Sequence, residues 1–186
     1  MARFPVVCAC IGALMWSFSA LAAAADKDER SRDILGWVEY VEFAEPRLRL
    51  KAKLDTGATT SSLNALNQRP FEKDGKPWIR FDMLHPNDPD KTITLEAPLV
   101  RTARIRRHNG SVQKRPVVQL GMCIGDVWRR RQFTLIDRSD FAYQVLVGRN
   151  FLRGYIAVDA DETFLSRPRC KQLGDGGPQY APESKK

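Results

Sequence analysis

Histidine and cysteine are scarce here: 186 residues hold 2 His and 4 Cys. A zinc site draws three or four ligands, most of them from those two residue types. His85 and His108 stand far apart, and no His-Glu-x-x-His run occurs. No Gly-x-x-x-x-Gly-Lys-Ser/Thr loop is present to cradle nucleotide phosphates. These gaps predict chemistry without metal, nucleotide or other cofactor. No apolar run reaches the roughly 20 residues of a membrane-spanning helix. Long stretches with helical apolar spacing are missing too; Ser61 to Leu66 and Arg149 to Arg153 are the nearest, and both are short. Aromatic residues do not interleave with the basic clusters, as a base-stacking platform requires, so nucleic acid is not an expected partner.

Apolar residues make up 43% of the chain, enough to bury a core, and the length fits one domain. The first 25 residues differ from the rest. Arg3 is their one charge, an apolar run spans Pro5 to Trp16, and small residues follow from Ala20 to Ala25. That order describes a signal peptide, so residues 1–25 are expected to be removed and the protein to be periplasmic or secreted. Cleavage takes the basic residues from 30 to 29 against 22 acidic ones, a net charge of +7. It also removes Cys8 and Cys10. Cys123 and Cys170 remain, and in an oxidising compartment they can pair; two separate thiols are the alternative.

Residues 26–35 read as a charged linker and 171–186, rich in Gly, Pro and charge, as a disordered tail. Between them, over 36–170, the signals are those of strands. Arg47, Arg49, Lys51 and Lys53 alternate with Leu48, Leu50, Ala52 and Leu54, a period of two. Ile93 and Leu95 form a second such face. Val118, Leu120, Met122 and Ile124 form a third, continued by Phe133 and Leu135. Asp74-Gly75 and Asn109-Gly110 are tight-hairpin dipeptides, Gly125-Asp126 separates two strand-like runs, and His85 to Asp90 reads as a longer loop. Short strands with frequent turns predict an all-β barrel or sandwich. Trp37, Trp78 and Trp128 are expected in its core.

The run Leu54-Asp55-Thr56-Gly57-Ala58 follows directly on the alternating strand. It places a carboxylate on a tight loop where glycine allows close backbone approach. Far downstream stands Val145-Leu146-Val147-Gly148-Arg149-Asn150-Phe151-Leu152, an apolar run meeting Gly and a short polar turn. The pair, in this order, resembles the retropepsin-like aspartic peptidases. Lys53 to Leu63, Trp78 to Phe81, Asn109-Gly110 and Arg115 to Val118 are similar to a bacterial branch often labelled as an ATP-dependent zinc protease. The resemblance covers roughly Gly36 to Arg169. The metal and nucleotide halves of that label find no ligand pattern here.

The resemblance implies a closed all-β barrel with a hairpin flap and one short helix. Asp55 would be the catalytic group, shaped by Thr56, Gly57 and Ala58. Val147, Gly148, Arg149 and Asn150 would support the loop from behind. His108, Asn109 and Gly110 would form the flap tip. Hydrolysis by carboxylates needs a pair sharing one proton. Asp126, Asp137, Asp140, Asp159 and Asp161 lack the Asp-Thr-Gly setting, so the second carboxylate must come from a second copy. The expectation is a homodimeric endopeptidase acting on peptide or protein. The alternative is a non-catalytic envelope-binding module on the same fold. Two features depart from the retroviral pattern. Thr59 stands where an Asp commonly pairs with the Arg of Gly-Arg-Asn, leaving Arg149 to find another partner, and no terminal dimer strand is evident; Tyr155 to Val158 and Thr163 to Ser166 suggest a hairpin. Arg101, Arg104, Arg106, Arg107, Lys114 and Arg115 flank the hairpin, and Arg129-Arg130-Arg131 forms a second cluster. A solvated face, an acidic substrate and an anionic envelope polymer are the readings these allow.

Overall fold

A computed structural model describes residues 31–106 and 110–174. The chain divides into two units, 1–31 and 32–186, and every element below belongs to the second. The stretch read as a signal peptide, the first part of the stretch read as a linker, His108 and Asn109 of the expected flap, and residues 175–186 lie outside the described residues.

Ten strands are found among the described residues. They are β1 (Asp33–Ala44), β2 (Arg47–Leu54), β3 (Ser61–Asn64), β4 (Leu66–Lys73), β5 (Lys76–His85), β6 (Asp88–Arg106), β7 (Val112–Ile124), β8 (Val127–Ile136), β9 (Val145–Val147) and β10 (Ile156–Thr163). One short helix, α1 (Arg149–Leu152), follows β9, and a 3-10 turn spans Lys171–Leu173. The period-two pattern of β2 is realised: Leu48, Leu50, Ala52 and Leu54 are buried, and the basic residues between them reach solvent.

The strands close into a ring. Neighbours run β1-β2-β9-β3-β8-β7, and β7 returns to β1 through Glu42↔Cys123 and Phe43↔Met122. Inward-facing Val41, Phe43, Leu50, Leu63, Met122, Phe133, Leu135, Val145 and Phe151 fill it. A second layer is built from β4, β5 and the first half of β6. β6 serves both layers because its register shifts between Leu99 and Arg101, after which it pairs with β7. The β4–β5 turn has Asp74 at φ 52° and Gly75 at φ 68°, the two left-handed positions that an Asp-Gly hairpin supplies.

Several expectations are corrected. The His85–Asp90 loop is only a two-residue turn at Pro86-Asn87, because His85 already pairs with Asp88. Ser61 to Leu66 forms no helix: Ser61–Asn64 is clamped between β8 and β9, and pairing on both sides overrides the local pattern. Tyr155 to Ser166 forms no hairpin; Ile156–Thr163 runs as one strand parallel to β1. The following residues are captured by the buried Glu39 carboxylate, which accepts from the N–H groups of Leu165 and Ser166 and from Ser166 Oγ. β1 begins at Asp33, inside the stretch read as linker, and Leu173 is buried inside the stretch read as tail. It packs on Cys123 and Cys170, which are joined as a disulfide with Cα atoms 6.0 Å apart. Trp37 is not core; it is 36% exposed, edge-on to Tyr143.

Candidate functional site

The Asp-Thr-Gly loop leaves β2 at Leu54 and is fastened at once to β9, where the Asp55 N–H donates to Val147 O at 2.8 Å. Asp55 is half-buried, and Thr56 and Gly57 are exposed. The carboxylate is oriented by its own loop: Gly57 N–H and Ala58 N–H donate to Oδ1 at 2.9 and 3.0 Å. The other oxygen, Oδ2, has no partner among the described residues. A Cβ at Gly57 would stand 3.1 Å from Oδ1 and crowd it.

The loop is braced by the second motif. Arg149 N–H and Asn150 N–H, at the start of α1, donate to Ala58 O and Thr59 O, both at 2.9 Å. Gly148 lies so close that a Cβ there would sit 2.8 Å from Thr60 C and 3.0 Å from Ala58 O. Val147 is buried and registered against Leu54. Asn150 Oδ1 accepts from Ser61 N–H (3.0 Å) and Ser61 Oγ–H (2.8 Å), and its Nδ2 donates to Gln132 O at 2.9 Å. Ser61 Oγ in turn accepts from Gly148 N–H at 3.0 Å.

Arg149 resolves the departure at Thr59. Its Nη1 donates to Thr56 O (2.8 Å) and Gly57 O (2.7 Å), and Nη2 donates to Thr59 Oγ1 at 2.9 Å. Neutral acceptors thus replace a carboxylate, and the guanidinium still clamps both sides of the loop. The basic triplet divides similarly. Arg129 donates to Phe151 O and Arg153 O, and Arg131 to Asn150 O. Two of the three cations therefore satisfy carbonyls left open at the end of α1, as cations near a helix C-terminus do. The β6–β7 hairpin carries Gly110 at φ 79°, and Ile105 and Val112 expose apolar surface near its end.

Arg138 was not visible as a site residue in the sequence, because it sits in a polar turn, Asp137-Arg138-Ser139-Asp140, that reads as solvent-facing. It is in fact buried. Its N–H donates to Asn64 Oδ1 (2.7 Å), Nε to Tyr143 O (3.2 Å) and Nη1 to Ser62 Oγ (3.1 Å). Burial, and then the like charge of Arg115, hold its pKa below the ordinary arginine value; the Asp55 carboxylate acts in the opposite direction. Asp137 nearby is held below the usual carboxylate range by the N–H and hydroxyl of Ser139. Among the described residues no cluster of His, Cys, Asp or Glu is grouped to hold a metal ion.

The profile of the family described as RimB-like, retropepsin-like aspartic endopeptidase RimB, matches residues 34–169. A probable alpha-L-glutamate ligase of Shewanella halifaxensis is 35% identical over 134 residues, 69% of this chain and 28% of that protein. One of Parasynechococcus marenigrum is 32% identical over 128 residues, 68% of this chain and 26% of the ligase. The chain thus spans little more than a quarter of these relatives. A crystal structure of Lpg0085 from Legionella pneumophila, of unknown function, superposes with a TM-score of 0.63 at 35% identity, over 74% of this chain and all of that one.

Proposed function

The chain belongs to the RimB-like family of retropepsin-like aspartic endopeptidases, and from that premise we propose that it hydrolyses peptide bonds as an exported homodimer. One observation carries the reading. Asp55 presents a carboxylate with one oxygen held by two backbone N–H groups and the other open, on an exposed loop braced by α1.

One such carboxylate per chain is half of the machinery. Two copies related by a twofold axis would bring Asp55 against Asp55 of the partner subunit, with each Thr56 facing the opposite loop. Like charges about 3 Å apart cannot both ionise, so the pair holds one proton. The ionised carboxylate takes a proton from a bound water as that water attacks the peptide carbonyl carbon. The protonated one donates to the carbonyl oxygen, giving a neutral tetrahedral diol. Collapse expels the amine, which leaves with one proton, and returns the pair to its starting state. The β6–β7 hairpin would close over the substrate and exclude water.

An acidic substrate is the finer part of the reading. The chain carries a net charge of +8, Arg104 and Arg106 are exposed at the end of β6, and its relatives are named for glutamate ligation. The ligase activity is said of those proteins alone, since the match spans little more than a quarter of their length. Export is supported by the N-terminal stretch and by the disulfide, which persists in oxidising compartments.

The test compares the mature chain with Asp55→Asn on an unfolded acidic protein across pH. The native chain should sediment as a dimer and cleave with an acidic and a basic limb, because both extremes destroy the one-proton state. The variant should fold and cleave nothing. Equal cleavage by the two would refute the aspartic mechanism. A folded native dimer without hydrolysis would favour the binding module.

A further inference from the structure

Protein interiors pack almost as densely as organic crystals, so voids much larger than a water molecule are few. Such a void lies between the two layers of this domain. The cavity measures about 260 Å³ and is bounded by the ring on one side and by β5 and β6 on the other. Its inner wall is apolar. Phe43, Leu48 and Leu63 come from the ring, Phe81 and Met83 from β5, and none is more than 4% exposed. Water finds no polar partner along that wall. An apolar void of roughly 150 Å³ stays dry and takes up benzene, so this one has room for a second fused ring. No residue of the Asp-Thr-Gly loop lines it.

The mouth is polar, and its free charge is mainly positive. Gln119 on β7 and Arg130 on β8 stand there, with Glu45 from the β1–β2 turn and Glu96 from β6. The Glu96 carboxylate is taken by Arg80 at 2.6 Å and Lys73 at 4.0 Å, and Glu45 is exposed. Arg130 pairs with no carboxylate among the described residues. Gln119 and Arg130 are shared with an adjoining polar recess that adds Arg131 and Gln132. Arg131 is spent on the neutral carbonyls of Arg130 and Asn150, so its charge is not cancelled. Two cations thus face one free carboxylate.

We propose that this cavity is a binding site for a small aromatic monocarboxylate, with the rings against Phe81, Met83 and Leu63 and the carboxylate on Arg130. Trp78 completes the aromatic lining beside Phe43 and Phe81, which suits a flat ring system. Occupancy is transmitted along β6. Ala97 and Pro98 line the cavity, and just beyond them the register shifts between Leu99 and Arg101, where the strand turns to pair with β7 as the hairpin. A ligand filling the void removes the slack at this root and steadies the hairpin. Neither part depends on the peptidase reading, because neither involves Asp55.

Calorimetric titration of the oxidised chain with 2-naphthoate and with uncharged 2-naphthamide tests the site without any cleavage assay. Naphthoate should bind saturably and roughly fivefold more tightly than the amide, the size of one exposed charge contact. That preference should shrink at high salt and vanish in Arg130→Gln. The Met83 methyl resonance should shift on binding. Ala97→Leu fills part of the void and should weaken both ligands about tenfold or more; if it does not fold, Ala44→Leu, at another lining position, decides the point. Amide hydrogen exchange over residues 99–106 should slow at saturating naphthoate. Absence of saturable binding, or affinity untouched by the filling variant, overturns the site. Equal affinity for the two ligands, or a preference surviving Arg130→Gln, overturns the role of Arg130. Unchanged exchange over 99–106 overturns the link to the hairpin.

Discussion

Ser61 is the joint between the two motifs, and its hydroxyl can be removed with little change in shape. In Ser61→Ala, Gly148 N–H loses its acceptor and Asn150 Oδ1 loses one of two donors. Ser61 is fully buried, so water cannot substitute. An orphaned buried donor costs about 1–3 kcal/mol. Asn150 keeps Ser61 N–H and Gln132 O, so its loss adds little. A total near 2 kcal/mol should lower the melting temperature by roughly 4–8 °C in a domain of this size. Scanning calorimetry of the oxidised chain measures it. Asn150→Ala removes the same link from the other side, so a double-mutant cycle should show coupling of about 0.5–3 kcal/mol. If Ser61→Ala lies within about 0.5 kcal/mol of the native chain, or the two changes simply add, the hydroxyl does not join the motifs.

Other outcomes follow from the same geometry. Gly148→Ala forces a methyl group into the backbone of Thr60 and Ala58; it should cost about 1–3 kcal/mol by overpacking and depress cleavage beyond what stability explains, read by calorimetry beside a peptide assay. Replacing Cys123 and Cys170 by alanine opens a link across 47 residues, and the chain-entropy estimate is a loss of about 4 kcal/mol, measurable by urea titration. Thr59→Ala removes one exposed acceptor of Arg149 and leaves two carbonyls; a loss above about 1.5 kcal/mol would show that the clamp depends on the hydroxyl. Cleavage should persist in chelator and without ATP, and activity restored only by added zinc would contradict this.

Strand class, most turns and the two motifs were legible in the sequence, because each rests on local chemistry. A period of two in Arg47 to Leu54 is a property of neighbours, and Asp74-Gly75 needs only its own dihedral freedom. Apart from the His85–Asp88 turn, the misses discussed are long-range. Ser61–Asn64 has no strand signature of its own and becomes one by lying between β8 and β9. The residues after β10 follow Glu39, a partner more than a hundred positions away. Arg129 and Arg131 read as a cationic surface until the end of α1 is placed beside them.

At the site, the sequence by itself determined which carboxylate stands in the motif. Asp55 alone stands in an Asp-Thr-Gly, and Gly148 recurs downstream in the setting that must pack on it. Tertiary structure decided what that carboxylate meets. The acceptors of Arg149 are supplied mainly by carbonyls that no residue identity encodes. Arg138 is carried by a turn as polar as any on the surface, yet folding of β3 and the Tyr143 segment buries it. Composition can count charges, but the energy of a charge depends on the water and the partners around it, and those exist only once the chain has folded.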